Sequence, residues 1–477
     1  MPGGALLQLV AYGAQDVYLT GKPTVTFFQS VYKRHTNFAI EAIPQTLAGI
    51  PNPGGLVSVT LARTGDLIGD MWVVLQPTTA SAGQLTSNNI VADMNWVAER
   101  AFKSVEVFIG GQSIDKHYQL WFRLYAECFL SESKKQNYGK LTSLPTPNNV
   151  NQTSTGYVYL PLIFWFNRNP GLYLPLIALQ YHEVRIDFTI SSYYANYFGS
   201  NVPAVWANYI YLEKEERDKF ATKNQEYLIE QVQYVNGDPV GTSSENNPSV
   251  IRMQYNHPVK ELVWVYQNQS PISNPNAMWN FCSNVSNVNV TIDPAKIASA
   301  GAVIASQSTG SPLLFTPAPL SAPLYSTAAG SVNLNGAIYA QSNVITGNVL
   351  WVESGLPQYG VTANNVYGQE VGPLHKLKFI LNGTDRAYEQ YGKWYNQYQP
   401  YQYHTGHPYP GIYLYSFALK PEELQPSGSC NFSRIDMAQV AVSLKTGMPS
   451  GLVQQMFAVN YNILRIASGM GGIAFAN

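Results

Sequence analysis

Seven histidines punctuate the chain, and only His404 and His407, in the stretch HTGH, stand close enough to act together. A zinc hydrolase places two histidines one helical turn apart with a glutamate between them, so that two imidazoles converge on the metal and the carboxylate moves a proton. Here no glutamate intervenes, and Tyr401, Tyr403, Pro408 and Pro410 around the pair predict a loop. A metal also needs three or four converging ligands. The plainer reading is a structural loop, and neither metal nor cofactor is expected.

The remaining candidates for chemistry fare no better. GMGGIA (Gly469–Ala474) has the glycine spacing of a dinucleotide-binding turn, but such a turn needs a strand before it and a helix after it. The chain stops three residues later, so a packed glycine-rich tail is the better expectation. PSGSC does not match the nucleophile elbow of hydrolases. Cys128, Cys282 and Cys430 are odd in number and far apart, which excludes a disulfide framework and a zinc spacing and fits a reducing compartment. No catalytic residue emerges. Six N-x-S/T sequons occur, at Asn151, Asn268, Asn284, Asn289, Asn382 and Asn431. Asn382 falls in an expected hairpin turn and Asn431 in the PSGSCNFS stretch, both read as structural, so the glycosylation candidates are Asn151, Asn268, Asn284 and Asn289, in or beside expected loops.

Composition narrows the function further. Net charge is −1, and basic clusters are limited to Lys33-Arg34-His35 and Lys134-Lys135, so direct nucleic-acid binding is not expected. The start of the chain lacks the basic and apolar regions of a secretion signal, and no stretch of about 18 apolar residues is present to cross a bilayer. Charged residues make up only 12% and are replaced by Asn, Gln, Ser, Thr and 33 tyrosines. Such a surface suits broad packed interfaces, although tyrosine also favours strands on its own account.

The elements that would carry these residues are strands. Val57, Val59 and Leu61 alternate with Ser58 and Thr60, and the same two-residue spacing sets Val105, Val107 and Ile109 before Gly110-Gly111 and Leu377, Phe379 and Leu381 before Asn382-Gly383. That is the period of a half-buried strand followed by a tight hairpin turn. Helices are expected only near Tyr118–Phe129 and Glu213–Gln225. At 477 residues the chain calls for more than one core.

Five phrases recur in order, which indicates a duplicated module. FAIE (Phe38–Glu41) returns as YLIE (Tyr227–Glu230), and MWVVL (Met71–Leu75) as VWVYQ (Val263–Gln267). DKHY (Asp115–Tyr118) returns as DRAY (Asp385–Tyr388), each after a glycine turn. PGLYLPLIAL (Pro170–Leu179) returns as PGIYLYSFAL (Pro410–Leu419), the clearest match, and ANYIYL (Ala207–Leu212) as VNYNIL (Val459–Leu464). The copies span 38–212 and 227–477, with a charged connector at 213–226. Changes in their spacing place insertions near 131–160 and, at greater length, near 270–373, expected as loops at one exposed end of a sandwich. An arm, residues 1–37, has no counterpart. Its Leu6, Leu7, Leu9, Val10, Phe27 and Phe28 point to docking on a partner.

Several long stretches carry a resemblance. Gly3–Glu41, FWFNRNPGLYLPLIALQYHEVRI (Phe164–Ile186), LQPSGSCNFSRID (Leu424–Asp436) and NYNILRIASGMGGIAFAN (Asn460–Asn477) closely resemble the major capsid proteins of nucleocytoplasmic large DNA viruses. The resemblance implies two tandem eight-stranded jelly-roll sandwiches and a homotrimer of pseudo-hexagonal outline that meets neighbouring capsomers in the shell. It further implies an arm on the inner capsid face, near minor capsid proteins or an internal membrane, and loop insertions forming an outward tower. The rival reading from another class is a two-domain carbohydrate-binding or carbohydrate-active β-sandwich, which needs converging carboxylates in a concave aromatic site. A minor capsid or penton-like paralogue is the third.

Overall fold

The computed structural model describes residues 3–78, 94–144 without 95, 156–268 without 236, 242 and 246, four short strands between 288 and 334, and 372–475 without 407, 409, 410, 447, 449 and 450. Two compact units result, Met1–Phe38 and Ala39–Asn477. The smaller holds two short helices, α1 (Gly4–Val10) and α2 (Val17–Thr20), and neither buries a residue.

In the larger unit eight strands come first: β1 (Phe38–Gln45), β2 (Leu56–Thr60), β3 (Leu67–Leu75), β4 (Phe102–Ile109), β5 (Gln112–Tyr118), β6 (Val158–Pro161), β7 (Val184–Ile190) and β8 (Ala204–Leu212). They form two facing sheets, in the orders β1-β8-β3-β6 and β2-β7-β4-β5. The helices α3 (Gln119–Cys128) and α4 (Glu132–Thr142) join β5 to β6. Short helices α5 (Trp165–Arg168) and α6 (Tyr194–Phe198) follow.

Helix α7 (Lys214–Thr222) leads to the second set: β9 (Gln225–Tyr234), β10 (Ser249–Arg252), β11 (Pro258–Asn268), β12 (Leu374–Leu381), β13 (Thr384–Asp385), β14 (Ile412–Ser416), β15 (Ala438–Leu444) and β16 (Leu452–Ala467). Their sheets run β9-β16-β11-β14 and β10-β15-β12-β13. Adding eight to every strand of the first roll reproduces the second. Each set is a jelly roll, a Greek-key sandwich whose first strand pairs with its last.

Local chemistry accounts for the strands. Val57 and Val59 of β2 are buried while Leu56 and Thr60 are exposed, as alternation requires. Gly110 and Gly111 have φ of 57° and 82°, and Asn382 and Gly383 have 49° and 77°, the double positive φ of a two-residue hairpin. Asn382 also accepts a hydrogen bond from the Met437 amide at 3.0 Å, so its side chain is structural. In the second roll Trp264 is fully buried, with Tyr395, Tyr413 and Phe379 ring centroids 5.3, 5.9 and 6.0 Å away. The Tyr395 hydroxyl donates to the Leu377 carbonyl at 2.9 Å, so the aromatic cluster leaves that polar group satisfied.

Two of the sequence echoes need correction. Trp72 and Trp264 match in sequence but lie on opposite faces: Trp264 points into its roll's core, whereas Met71 and Val73, not Trp72, fill the core of the first. A slip of one residue inverts every side chain in a strand. The clearest echo fails altogether. PGIYLYSFAL contains strand β14, but PGLYLPLIAL follows β6 and forms 3₁₀ turns with a two-residue bridge, Leu174–Pro175, to β3. Pro175 lacks the N–H that would extend the ladder. The insertion near 131–160 is also not all loop: α4 occupies its first part, and residues 145–155 lie outside the described residues, as does most of 270–373.

Candidate assembly interface

The sheet β9-β16-β11-β14 is covered on both faces, which explains the unbroken apolar run LVWVY. Leu262, Trp264 and Tyr266 face the second roll's own core, while Val263 and Val265 join the cluster of the first roll. Phe457, opposite Val263 on β16, meets Trp121 of α3 at 5.5 Å and Tyr118 of β5 at 6.2 Å. Helix α3 is thus the lid of the second roll.

Buried charges hold that lid in place. Arg123 pairs with Glu127 one turn on at 2.8 Å and lies 4.0 Å over the Trp96 ring. Lys135 of α4 reaches Glu127 at 2.5 Å, and the Tyr138 hydroxyl donates to Glu99 at 2.8 Å. Burial pushes the Glu99 carboxyl up to about 7, against the pull of Arg123. Glu99, beside Glu127, has the raised proton affinity that acid–base work uses. Both side chains are sealed from solvent, however, so the group is a clamp that no substrate reaches.

A second ionic chain crosses between the rolls. Arg168 of α5 binds Glu230 of β9 at 3.0 Å, and Glu230 binds Lys260 at 2.5 Å. Lys260 stands 3.7 Å from Glu261, whose other oxygen is 3.0 Å from Nε2 of His404, and Nδ1 of His404 is 3.4 Å from Glu422. A bulge against β16 between Val259 and Glu261 puts these adjacent charges into one buried network. Burial alone would lower the His404 pKa, but the bonds to Glu261 and Glu422 raise it to about 9. Glu230 is held low, its burial outweighed by Lys260 and Arg168.

The stretch His404–Gly406 is therefore a docking loop. A Cβ on Gly406 would sit 2.7 Å from the Cys128 carbonyl oxygen and 2.9 Å from that of Glu127, so only glycine lets the loop meet the end of α3. His407 lies outside the described residues. Among the described residues no group of three or more His, Cys, Asp or Glu could hold a metal. GMGGIA forms a hairpin, β17 (Met470–Ile473), back onto β16, with Gly471 close against Leu179 and Ile109.

Sequence reasoning missed the network because its members lie far apart in the chain. Asp115, in the DKHY echo, also went unrecognised: it pairs with His117 at 2.9 Å and accepts from the Val232 amide of β9 at 3.0 Å, joining the rolls. The available signal was charge itself, rare in this chain yet sited inside strands. Lys135, half of one basic cluster, is buried in the clamp and not offered to phosphate. The arm residues Leu6, Leu7, Leu9, Val10, Phe27 and Phe28 are all exposed, Phe28 by 98%. Asn268 ends β11 and Asn289 lies in a short strand opposite Asn333, while Asn151 and Asn284 lie outside the described residues. No helix among the described residues is long and apolar enough to cross a membrane.

Two rolls of one strand order, fused through a buried seam, define a double jelly-roll protein. Family models agree: residues 26–213 match the major capsid protein N-terminus, and residues 216–472 match the large eukaryotic DNA virus major capsid protein. The major capsid protein of Paramecium bursaria Chlorella virus 1 is 38% identical over 506 aligned positions, covering 99% of this chain and all of that one. That of Pyramimonas orientalis virus is 37% identical over 510, covering both chains fully. A chain of the quasi-atomic PBCV-1 capsid superposes with a TM-score of 0.67 at 34% identity, covering 95% of this chain and all of its own. The Faustovirus major capsid protein, 14% identical with a TM-score of 0.60 over 97% of this chain and 96% of its own, shares the fold. The chain belongs to the major capsid proteins of large eukaryotic DNA viruses. It is a structural component of the virion capsid, in a family of structural proteins and not of enzymes.

Proposed function

We propose that three copies associate into a pseudo-hexameric capsomer and that these capsomers tile an icosahedral shell. The observation that carries this reading is the identical strand order of the two rolls. Three chains, each with two similar wedges, present six similar edges, and a hexagonal outline packs into a closed surface. Membership of the capsid family supports the same reading. The exposed apolar arm, residues 1–37, serves as the inner-face contact, with minor capsid proteins and the internal membrane as its partners. The modules are 38–212 and 227–477, bridged by 213–226, with the long insertion at about 270–373 facing outward. Asn151, Asn268, Asn284 and Asn289 are the glycosylation candidates. Synthesis and assembly take place in the host cytoplasm.

The native mass of the purified protein tests the reading. A stable species of three times 52.8 kDa is expected, and a strict monomer across salt and concentration would sink it.

A further inference from the structure

Within one chain the two rolls are not treated alike. The outer face of the second roll's sheet β9-β16-β11-β14 is buried under α3, the helix that joins strands five and six of the first roll. Among the described residues the same face of the first roll, on β1-β8-β3-β6, is left half-open, and it is not polar. Trp72 stands between Trp206 and Pro161 in one cross-strand row, and Val74 between Ala204 and Tyr159 in the next. The two indoles are stacked, with centroids 6.5 Å apart and planes within 5°. In the second roll the corresponding row, Phe457–Val263–Leu414, is sealed.

The second roll also has a counterpart of the lid. Between its fifth and sixth strands, β13 and β14, a wide-turned segment, Trp394–Tyr398, runs into α8 (Gln399–Tyr403). The Pro400 ring excludes the carbonyl four residues earlier, which accounts for the wide turn. Its inner side packs on its own roll through Tyr395 and Asn396, the latter donating to the Ile412 carbonyl at 2.8 Å. Its outer side shows Tyr398, half-exposed, and Tyr401, 83% exposed. Among the described residues a half-open face and a lid with an exposed outer side thus occupy matching places in the duplicated fold. They also match in charge: Asp70 is exposed on the open face and Lys393 at the start of the lid segment.

We propose that the Trp72–Trp206 face of one chain is the seat for the Trp394–Tyr403 segment of a second copy. The contact repeats between chains the covering that α3 performs within one. It is head-to-tail, so it propagates around a ring, and six wedges close it after three chains. This inference rests on the capsomer reading and names the surfaces that make the trimer. Stacked tryptophans meeting tyrosines is the kind of anchor that dominates interface energetics.

The test begins with wild-type protein by analytical ultracentrifugation, where a trimer is expected. Trp206→Glu should raise the dissociation constant of that trimer by about 30-fold or more while leaving the far-UV spectrum of the chain intact. Val250→Glu, at an exposed site on β10, should leave it unchanged. Hydroxyl-radical footprinting of the unmodified protein needs no variant. Trp206 and Tyr401 should be oxidised about tenfold more slowly in the trimer than in chains diluted to monomer, as burial of an anchor predicts. A monomeric wild type overturns both the capsomer reading and the interface. A trimer that tolerates Trp206→Glu and leaves both residues equally reactive overturns the interface alone.

Discussion

Single residues in this chain are decided by what surrounds them, and His404 is the clearest case. Its ring bridges Glu261 and Glu422 and titrates near 9 in the fold, against 6.5 for a free histidine. A raised pKa means that the folded chain holds a proton the unfolded chain gives up. The stabilisation is complete below pH 6.5 and is lost as pH rises through 9, a total of roughly 3 kcal/mol. Glu99, pushed up to about 7, finishes titrating before that window closes, the Cys128 thiol, raised by burial, adds to the fall only as pH approaches 9, and the buried tyrosines begin only above 10. Urea midpoints should therefore fall between pH 7 and 9.5, and His404→Gln should flatten that fall while lowering stability at pH 6. A variant that keeps the wild-type slope would show that another group carries it. Removing the other partner is harsher: Glu261→Ala leaves His404 and Lys260 buried without it, and a loss of about 3–5 kcal/mol is expected in the same urea titration.

At the scale of elements, packing separates positions that sequence treats as equal. Trp264 and Trp72 occupy matching places in the MWVVL and VWVYQ echoes, yet one is a core residue and the other a surface one. Trp264→Ala should cost about 3–5 kcal/mol in chemical denaturation, because its aromatic neighbours cannot all close the cavity. A loss under 1 kcal/mol would mean that the cluster repacks freely. Much of the architecture was legible, since strand alternation at Val57, Val105 and Leu377 and the turns at Gly110 and Asn382 are local signals. What was not legible depended on pairing partners. The one-residue slip of the Trp echo and the false match of PGLYLPLIAL come from register and a proline, which short identities do not report. The inter-roll network was hidden for the same reason, because Arg168, Glu230, Glu261 and His404 meet only through the fold.

For the whole molecule, the arm poses the question of what is needed to fold and what is needed to assemble. Residues up to Phe38 form their own unit, and neither α1 nor α2 buries a side chain. Removing residues 1–37 therefore deletes nothing from either core and should shift the melting temperature by no more than about 1–2 °C, as expected for a change well under 1 kcal/mol in a chain this long. The ring contact proposed at Trp72 and Trp206 lies in the other unit, so the truncated chain should still sediment as a trimer. Its defect should appear one level higher. Leu6, Leu7, Leu9, Val10, Phe27 and Phe28 offer a run of exposed apolar side chains of the sort that marks a docking segment. Without them, capsomers should form but fail to build shells on the inner partners proposed for the arm, as counted by electron microscopy of particles from cells making the truncated protein. Normal shells from that protein would remove the arm from assembly and leave its apolar residues without a role.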